Sequence, residues 1–149
     1  RKRDRRGLDD GRVEYREGDE MDLALPDSSA DVVSIAFGIR NVRDPDRAIG
    51  EFARVLRPGG RLVVLEFDRP SFPPVRWFNA FYAGWIMPRT ATLIARDRSG
   101  AYRYLPRSVE TFLSRRELAA LLERRGMVVR RSTPLSLGLC ACTVAERRG

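Results

Sequence analysis

The chain has 149 residues, of which 43% are hydrophobic and 32% are charged, a composition that fits one globular domain and excludes a disulfide scaffold. Its formal charge is +8, but all except one of its 28 basic residues are arginines. This skew indicates GC-rich coding and is not evidence for nucleic-acid binding. The absence of histidine excludes a Ser-His-Asp triad, a Cys-His pair and a histidine-ligated metal within this chain, and we expect no metal cofactor.

The sequence shows no export signal and no membrane-spanning pattern. The first six residues, RKRDRR, lack the apolar core of a signal peptide, and Pro88, Arg89 and Arg96 interrupt the longest apolar stretches. Cys140 and Cys142 stand two apart, a spacing that is strained for a disulfide and too small for a metal site. We expect them to be small core residues of a protein in the reducing cytoplasm.

The first predicted elements are a loop and two strands. Residues 1–11 are charged and show no periodicity, which predicts a loop. Val13–Arg16 alternates apolar and polar residues and predicts a short strand, followed by an acidic loop over residues 19–31. Asp31–Phe37 (DVVSIAF) is rich in β-branched residues, a pattern typical of a buried parallel strand.

A helix and a third strand follow. Asp44 is a typical N-cap and Pro45 suits the first helical position, so that a helix is predicted to run to about Leu56. The Arg57–Gly60 segment (RPGG) is predicted to end it, and Arg61–Phe67 is predicted as a second buried strand. A strand, a helix and a strand in this order indicate a parallel sheet with a right-handed crossover.

The end of the chain predicts one helix and two strands. Ser114–Arg125 begins with a serine N-cap and has Glu117 at the capping-box position. Met127–Ser132 and Leu135–Ala145 are predicted as two antiparallel strands that are joined near Pro134. The pattern as a whole belongs to the α/β class.

Three loops follow the three predicted strands of the first half of the chain. They are Gly18–Glu20, Phe37–Asn41 and Glu66–Asp68, and each places polar groups beside a glycine or an aromatic residue. In an open α/β sheet, ligands bind outside the carboxyl ends of the strands. We therefore predict the functional site at these three loops, although each one by itself is also compatible with ordinary turn chemistry.

Phe37–Phe67 (FGIRNVRDPDRAIGEFARVLRPGGRLVVLEF) resembles the ubiquinone/menaquinone biosynthesis C-methyltransferases. Two further segments are similar to that family, Ala95–Asp97 (ARD) and Tyr102–Ser108 (YRYLPRS). The RVLRPGG turn is common to class I methyltransferases, whereas FGIRN together with YRYL is more specific. The resemblance extends from Val13 to the end of the chain.

The resemblance implies a class I S-adenosylmethionine (SAM) methyltransferase with a Rossmann-like sheet in the order 3-2-1-4-5-7-6 and an antiparallel last strand. The glycine loop and the first strands of that family precede the position of Val13 and are not found here. Residues 1–149 are therefore expected to form the C-terminal two-thirds of one methyltransferase domain. We expect Val13–Arg16 to lack a sheet partner, and this chain by itself to be inactive and to bind SAM weakly.

The implied reaction is SAM-dependent methylation of a ring carbon of a polyprenylated quinol. The tail from Leu135 onward is similar to the naphthoquinone enzymes of the photosynthetic lineage, which favours demethylmenaquinol over a ubiquinone precursor. Arg40 and Asn41 are expected to stabilise the developing phenolate, and Asp97 and Tyr102 to orient the ring or its proton. The residues expected to contact the cofactor are Asp19, Glu20, Ala36, Phe37 and Gly38.

Residues 70–110 are predicted to form an insertion on the substrate side of the domain. The spacing of Trp77, Phe81 and Trp85 places them on one face of a helix, which is either a core face or a lid over an isoprenoid tail. As a lid, the segment would bring the protein to the inner face of the membrane. The residues expected to contact the substrate are Glu66, Trp77, Phe81, Trp85 and Tyr104.

Two alternatives remain open at the level of the sequence. The first is a methyltransferase of the same fold that acts on another small hydrophobic acceptor. The second is a basic module that binds an anionic membrane or nucleic acid. The arginines argue against this module because they alternate with acids, as in Arg43–Arg47 (RDPDR). The expected partner is a lipophilic quinol, with no nucleic acid, and the oligomeric state is left open.

Overall fold

The computed structural model describes residues 13–68, 74 and 112–149. The described part contains four strands, two α-helices and two short 3-10 turns. In chain order they are β1 (Ala30–Ala36), a 3-10 turn (Ile39–Asn41), α1 (Pro45–Val55), β2 (Leu56–Phe67), α2 (Arg115–Arg124), β3 (Met127–Leu135), a 3-10 turn (Ser136–Gly138) and β4 (Cys140–Arg147). None of the described helices is long and apolar enough to cross a membrane.

The four strands form one sheet in the order β1-β2-β4-β3. β1 and β2 are parallel, whereas β4 runs antiparallel to both β2 and β3. This arrangement confirms the α/β class and corresponds to strands 4-5-7-6 of the expected methyltransferase sheet, including the antiparallel last strand. Because β2 and β3 are both antiparallel to β4, the carboxyl ends of β1, β2 and β3 lie at the same edge of the sheet.

Helix α1 begins where the sequence predicts it. The Asp44 carboxylate accepts a hydrogen bond from the Arg47 amide at 3.1 Å, and Pro45 occupies the first turn. The helix ends at Val55, however, because β2 begins at the next residue instead of at Arg61. The predicted RPGG turn is therefore the irregular start of a strand: Ala30 pairs with Leu56 and Val32 with Arg61, so that most of this segment bulges out of the ladder.

Helix α2 carries the predicted capping box. The Ser114 amide donates to the Glu117 carboxylate at 2.7 Å, and the Glu117 amide donates to Ser114 Oγ at 3.4 Å. The position of the following connection was predicted wrongly: Pro134 lies within β3, opposite Ala141, and the strands are joined at Ser136–Gly138. An edge strand tolerates proline because one of its sides needs no amide donor, and β3 is the last strand of the sheet.

Val13–Arg16 does not form the predicted strand. Its alternating pattern is present, but no strand lies beside it among the described residues, and a strand without a neighbour leaves its backbone groups unpaired. The exposed Glu14 and Arg16 side chains instead form an ion pair at 2.7 Å.

One face of the sheet packs against α1 and α2 to form the core. The cluster includes Ile49, Phe52, Leu62, Leu118 and Leu122. Cys140 and Cys142 are half-buried and carry free thiols, and they alternate with the buried Ala141 and Thr143 along β4. The expectation that both cysteines belong to the core is therefore wrong: the strand period of two places them on the opposite face of the sheet.

Candidate active site

Phe37 ends β1 in an unusual backbone conformation. Its amide continues the parallel ladder by donating to the Leu65 carbonyl at 2.8 Å, but its φ is +52°, in the left-handed region that non-glycine residues rarely adopt. The conformation turns the chain out of the strand at the carboxyl edge of the sheet. Strained residues of this kind persist only where their surroundings hold them.

Two side chains hold the Phe37 carbonyl from the turn that follows. Arg40 Nη1 donates to the Phe37 oxygen at 2.9 Å, and Asn41 Nδ2 approaches the same oxygen at 3.4 Å. The Phe37 ring packs against the Phe67 ring with 4.9 Å between centroids and remains 38% exposed. The loop after β1 is therefore fixed by its own polar side chains and by the end of β2.

Arg40 also forms a buried ion pair with Glu66, the penultimate residue of β2. Arg40 Nη1 lies 2.6 Å from Glu66 Oε1, and the two side chains are only 9% and 4% exposed. The same carboxylate oxygen accepts the Phe67 amide at 2.9 Å, and the Arg40 guanidinium lies 5.0 Å from the centre of the Phe67 ring. The structure thus joins two predicted site residues from separate loops in one cluster.

Two atoms of this ion pair are buried without a hydrogen-bond partner among the described residues, Arg40 Nε and Glu66 Oε2. Both described contacts of the guanidinium use Nη1, so that Nε and Nη2 keep their donor capacity. Buried unpaired polar atoms are costly and uncommon in native proteins. The ion pair therefore leaves one buried donor and one buried acceptor that no described residue satisfies.

In the same loop, Gly38 packs closely against Ile35. A Cβ at this position would lie 3.1 Å from Cγ1 and 3.2 Å from Cδ1 of Ile35. The preceding Ala36 is exposed and pairs with Leu65 in the ladder. Ala36, Phe37 and Gly38, the three predicted cofactor residues of this loop, consequently lie together at the end of β1.

The acidic loop before β1 runs along α1. Arg47 Nε donates to the Met21 carbonyl at 3.1 Å near the start of the helix, whereas the Ser28 and Ser29 amides donate to the carbonyls of Arg54 and Val55 at its end. The loop therefore passes from the beginning of α1 to its end before it enters β1. Met21 lies beside the start of α1, which comes shortly after the Phe37–Asn41 loop in the chain. Asp19 and Glu20 therefore lie on the same side of the domain as that loop.

Two further side chains of α1, Glu51 and Arg54, hold this acidic loop. Arg54 donates to the carbonyls of Leu23 and Leu25 and pairs with Asp27 at 2.5 Å, and Glu51 accepts the Leu23 amide at 3.0 Å. The hydrogen bond from Arg54 lowers the pKa of Glu51 below its ordinary value and outweighs the opposing effect of desolvation. The sequence signal for this role of α1 is the spacing of Glu51 and Arg54, an acidic and a basic residue three apart on one helix face.

Asp19 and Glu20 are exposed. The Asp19 carboxylate accepts the Met21 amide at 2.8 Å, which shapes the turn but leaves the carboxylate open to solvent. Six further predicted site residues lie outside the described residues: Trp77, Phe81, Trp85, Asp97, Tyr102 and Tyr104, together with the predicted lid over residues 70–110. The described residues contain no group of three or more side chains suited to a metal ion.

Curated relatives cover almost the whole chain, but the chain spans only part of each of them. A demethylmenaquinone methyltransferase from Thermus thermophilus is 42% identical over 147 residues, which are 99% of this chain and 64% of that protein. A ubiquinone/menaquinone biosynthesis C-methyltransferase from Hahella chejuensis is 40% identical over 129 residues, which are 87% of this chain and 51% of that protein. The chain thus spans between about half and two-thirds of these two relatives.

Solved structures share the fold at low sequence identity. The [4+2]-cyclase SpnF superimposes with a TM-score of 0.64 at 18% identity. The superposition covers 93% of this chain and 57% of the SpnF chain. A SAM-dependent methyltransferase from Aquifex aeolicus gives a TM-score of 0.57 at 18% identity over 90% of this chain and 54% of its own. At this identity the likeness establishes the class I methyltransferase fold alone.

The match to a protein-family model extends over nearly the whole chain and does not depend on one loop or motif. The model of the ubiE/COQ5 methyltransferase family matches residues 1–147. The match includes both loops that the Arg40–Glu66 ion pair joins, as well as the helices and strands that support them. The chain belongs to the ubiE/COQ5 methyltransferase family.

Proposed function

We propose that the protein containing this chain methylates a ring carbon of a polyprenylated quinol with SAM, and that its substrate is demethylmenaquinol. The observation that carries the proposal is the family match over residues 1–147. The choice of a naphthoquinol is supported by the Thermus relative, a demethylmenaquinone methyltransferase that is 42% identical over 99% of the chain. The ending of the chain favours the same ring.

The described residues fit one part of a SAM site. Phe37 is turned out of β1 by its positive φ, a side chain at Gly38 would crowd Ile35, and Asp19 and Glu20 present open carboxylates on the same side of the domain. We assign contacts with the adenosine part of SAM to these four residues and Ala36. SAM supplies an activated methyl group, and the family binds the rest of the molecule through a glycine loop that this sequence does not contain.

The chemistry requires an electron-rich ring carbon, which a quinol offers once a hydroxyl group has lost its proton. Arg40 is suited to stabilise the resulting phenolate because its guanidinium is a planar cationic donor group and is held rigidly at the carboxyl edge of the sheet. Its Nε and Nη2 donors are not used by described residues. Asn41 supports the same loop, and Asp97 and Tyr102 are proposed to orient the ring.

The proposal includes contact with the lipid phase, where a long-tailed quinol resides. Trp77, Phe81, Trp85 and Tyr104 are proposed to bind the substrate, with the aromatic segment covering its isoprenoid tail. We propose a cytoplasmic protein that touches the inner face of the membrane. Nucleic acid is not a proposed partner, because Arg54, Arg125 and Arg130 are each engaged with a carboxylate.

The test is a methyl-transfer assay with the protein expressed from its complete reading frame. SAM carrying a labelled methyl group is incubated with a short-tailed demethylmenaquinol and, in parallel, with a demethylated benzoquinol. We expect label in the naphthoquinol ring and less than a tenth of that rate with the benzoquinol. Equal rates would reject the substrate assignment, and no label in either ring, while the protein binds SAM, would reject quinol methylation.

A further inference from the structure

Glu66 is an acidic residue in an apolar position of the sheet. It lies on the same face of β2 as Leu62 and Val64, the face that packs against the helices. Its side chain is only 4% exposed. Removing a carboxylate from water is costly, and nothing in the strand pattern requires an acid at this position. Its burial therefore calls for a reason outside the packing of β2.

The contacts of Glu66 connect the end of β2 to the loop after β1. Its Oε1 accepts the amide of the next residue, Phe67, at 2.9 Å, which fixes the carboxylate relative to the strand. The same oxygen receives Arg40 Nη1 at 2.6 Å. Glu66 thus fixes the Arg40 side chain, which belongs to the loop after β1, relative to the backbone of β2.

The guanidinium of Arg40 is held from three directions. Glu66 and the Phe37 carbonyl both bind Nη1, at 2.6 and 2.9 Å, and the Phe67 ring lies 5.0 Å from the guanidinium carbon. A planar group held at one nitrogen and against one ring has little freedom to rotate. Its remaining donors, Nε and Nη2, consequently keep a fixed direction.

We propose that Glu66 is a positioning residue that acts through Arg40, and that it does not contact the quinol. The proposal rests on the proposed function, in which Arg40 stabilises the phenolate. The carboxylate oxygen of Glu66 that is free of Arg40, Oε2, is buried within the protein, and the oxygen that carries the contacts is occupied by Arg40 and Phe67. Glu66 therefore orients the Arg40 guanidinium and compensates its charge before the substrate arrives, as a preorganised site requires.

A double-mutant cycle tests the proposal in the protein expressed from its complete reading frame. Arg40→Ala, Glu66→Ala and the double variant are compared by kcat and by KM for the quinol. If Glu66 acts through Arg40, then Glu66→Ala lowers kcat roughly tenfold in the wild-type background but less than about twofold in the Arg40→Ala background. Effects that multiply, or a KM for the quinol that rises in both backgrounds, would overturn the proposal in favour of a direct substrate contact.

Two further variants separate positioning from stability. Glu66→Gln keeps an oxygen that can accept both the Arg40 and Phe67 donors, and we expect it to recover at least half of the wild-type kcat. Thr143→Val is the matched control, since it removes a buried hydroxyl that lies 2.9 Å from Ser132 Oγ on the same face of the sheet without touching Arg40. It is expected to lower the melting temperature and leave kcat unchanged. A fall in kcat that tracks the melting temperature across all variants would show that Glu66 is only structural.

A spectroscopic measurement distinguishes failure of this proposal from failure of the proposed function. The Arg40 Nε–H group gives a nitrogen-15 NMR signal that is assigned by its loss in Arg40→Lys. We expect it to exchange slowly in the wild-type protein and in Thr143→Val, and to broaden or disappear in Glu66→Ala. If quinol methylation is not found but the signal responds in this way, the positioning of Arg40 by Glu66 stands and the substrate assignment falls. An unchanged signal in Glu66→Ala overturns the positioning role.

Discussion

At the scale of single residues, the carboxyl edge of the sheet is organised by a strained backbone and a buried ion pair. Phe37 adopts a positive φ, and the side chain of Arg40 holds its carbonyl while it pairs with Glu66. Replacing one member of a buried pair costs about 3–5 kcal/mol, because the other charge is left without compensation. Loss of either Arg40 or Glu66 is therefore expected to destabilise the whole cluster.

The first prediction concerns Arg40. In the protein expressed from its complete reading frame, Arg40→Ala should lower kcat roughly 100-fold, the usual loss when one charge-stabilising group is removed from a reaction centre. SAM affinity should change by less than about threefold, because Asn41 still approaches the Phe37 carbonyl. Steady-state kinetics and calorimetry with SAM measure the two quantities. Turnover at the wild-type rate would show that Arg40 only supports the fold.

At the scale of secondary-structure elements, the junction of α1 and β2 depends on one glycine. A Cβ at Gly60 would lie 2.8 Å from the Arg57 carbonyl oxygen and 3.2 Å from those of Ala30 and Asp31. All three neighbours are backbone atoms, which cannot move aside as a flexible side chain does. The close approach is what allows β2 to join β1 directly after the bulge.

The second prediction follows from this contact. Gly60→Ala should destabilise the chain by about 1–3 kcal/mol, the range found when a well-packed site is overfilled. Gly18→Ala is the matched control, since no atom lies within 4 Å of a Cβ at that position, and it should change stability by less than about 0.5 kcal/mol. Urea unfolding measures both variants. Equal stability of the two would show that the junction adapts without cost.

The third prediction concerns the clamp between α1 and the acidic loop. Because the hydrogen bond from Arg54 lowers the pKa of Glu51 below its ordinary value of 4.5, the unfolded chain takes up the proton more readily than the folded one. The contribution of Glu51 to stability is therefore fully present above about pH 4.5 and is lost as the pH falls through the lower pKa of the folded state. We expect the free energy of unfolding to decline in this window, and Arg54→Ala to reduce the decline.

The clamp is checked by comparing unfolding curves between about pH 3 and about pH 7, a range that includes the ordinary pKa of a glutamate. Arg57→Ala is a suitable control, because Arg57 pairs with Asp31 of β1 through two exposed side chains, outside the segment 21–29 that Arg54 and Glu51 hold. In Arg54→Ala, amides of residues 21–29 should also exchange faster with solvent, since Arg54 holds the Leu23 and Leu25 carbonyls. Unchanged exchange there would exclude the clamp.

At the scale of the whole molecule, the described sheet is covered by helices on one face. Val32 on β1 is 58% exposed, and Val63, Leu65 and Val144 on the other face are only half-buried. Parallel sheets are normally covered on both faces. The chain spans 64% of the length of its Thermus relative, and its family carries a SAM-binding glycine loop that this sequence does not contain.

The fourth prediction follows from that span. The 149-residue chain expressed by itself should bind SAM weakly or not at all, because the backbone of the glycine loop must approach the cofactor and is not part of this sequence. Isothermal titration calorimetry of the chain with SAM is the measurement, and the protein expressed from its complete reading frame is the control. Micromolar affinity of the isolated chain would contradict the prediction.

Local chemistry determined the starts of both helices and the position of strand β1. Asp44 and Pro45 define the start of α1, the Ser114–Glu117 capping box defines the start of α2, and the β-branched run at Asp31–Phe37 differs from β1 by one residue at each end. These features are local because a cap satisfies backbone donors within one turn and a buried strand needs an apolar run. The motifs of Phe37–Phe67 also indicated the family.

Only the tertiary structure decided which residues meet across the sequence. Arg40 and Glu66 are 26 residues apart, and their ion pair exists because parallel pairing brings the ends of β1 and β2 together. Val13–Arg16 has the pattern of a strand but does not form one. β2 begins at Leu56 because this residue pairs with Ala30 of β1. Periodicity specifies which face of an element is apolar, whereas pairing, burial and charge compensation depend on neighbours that are distant in the sequence.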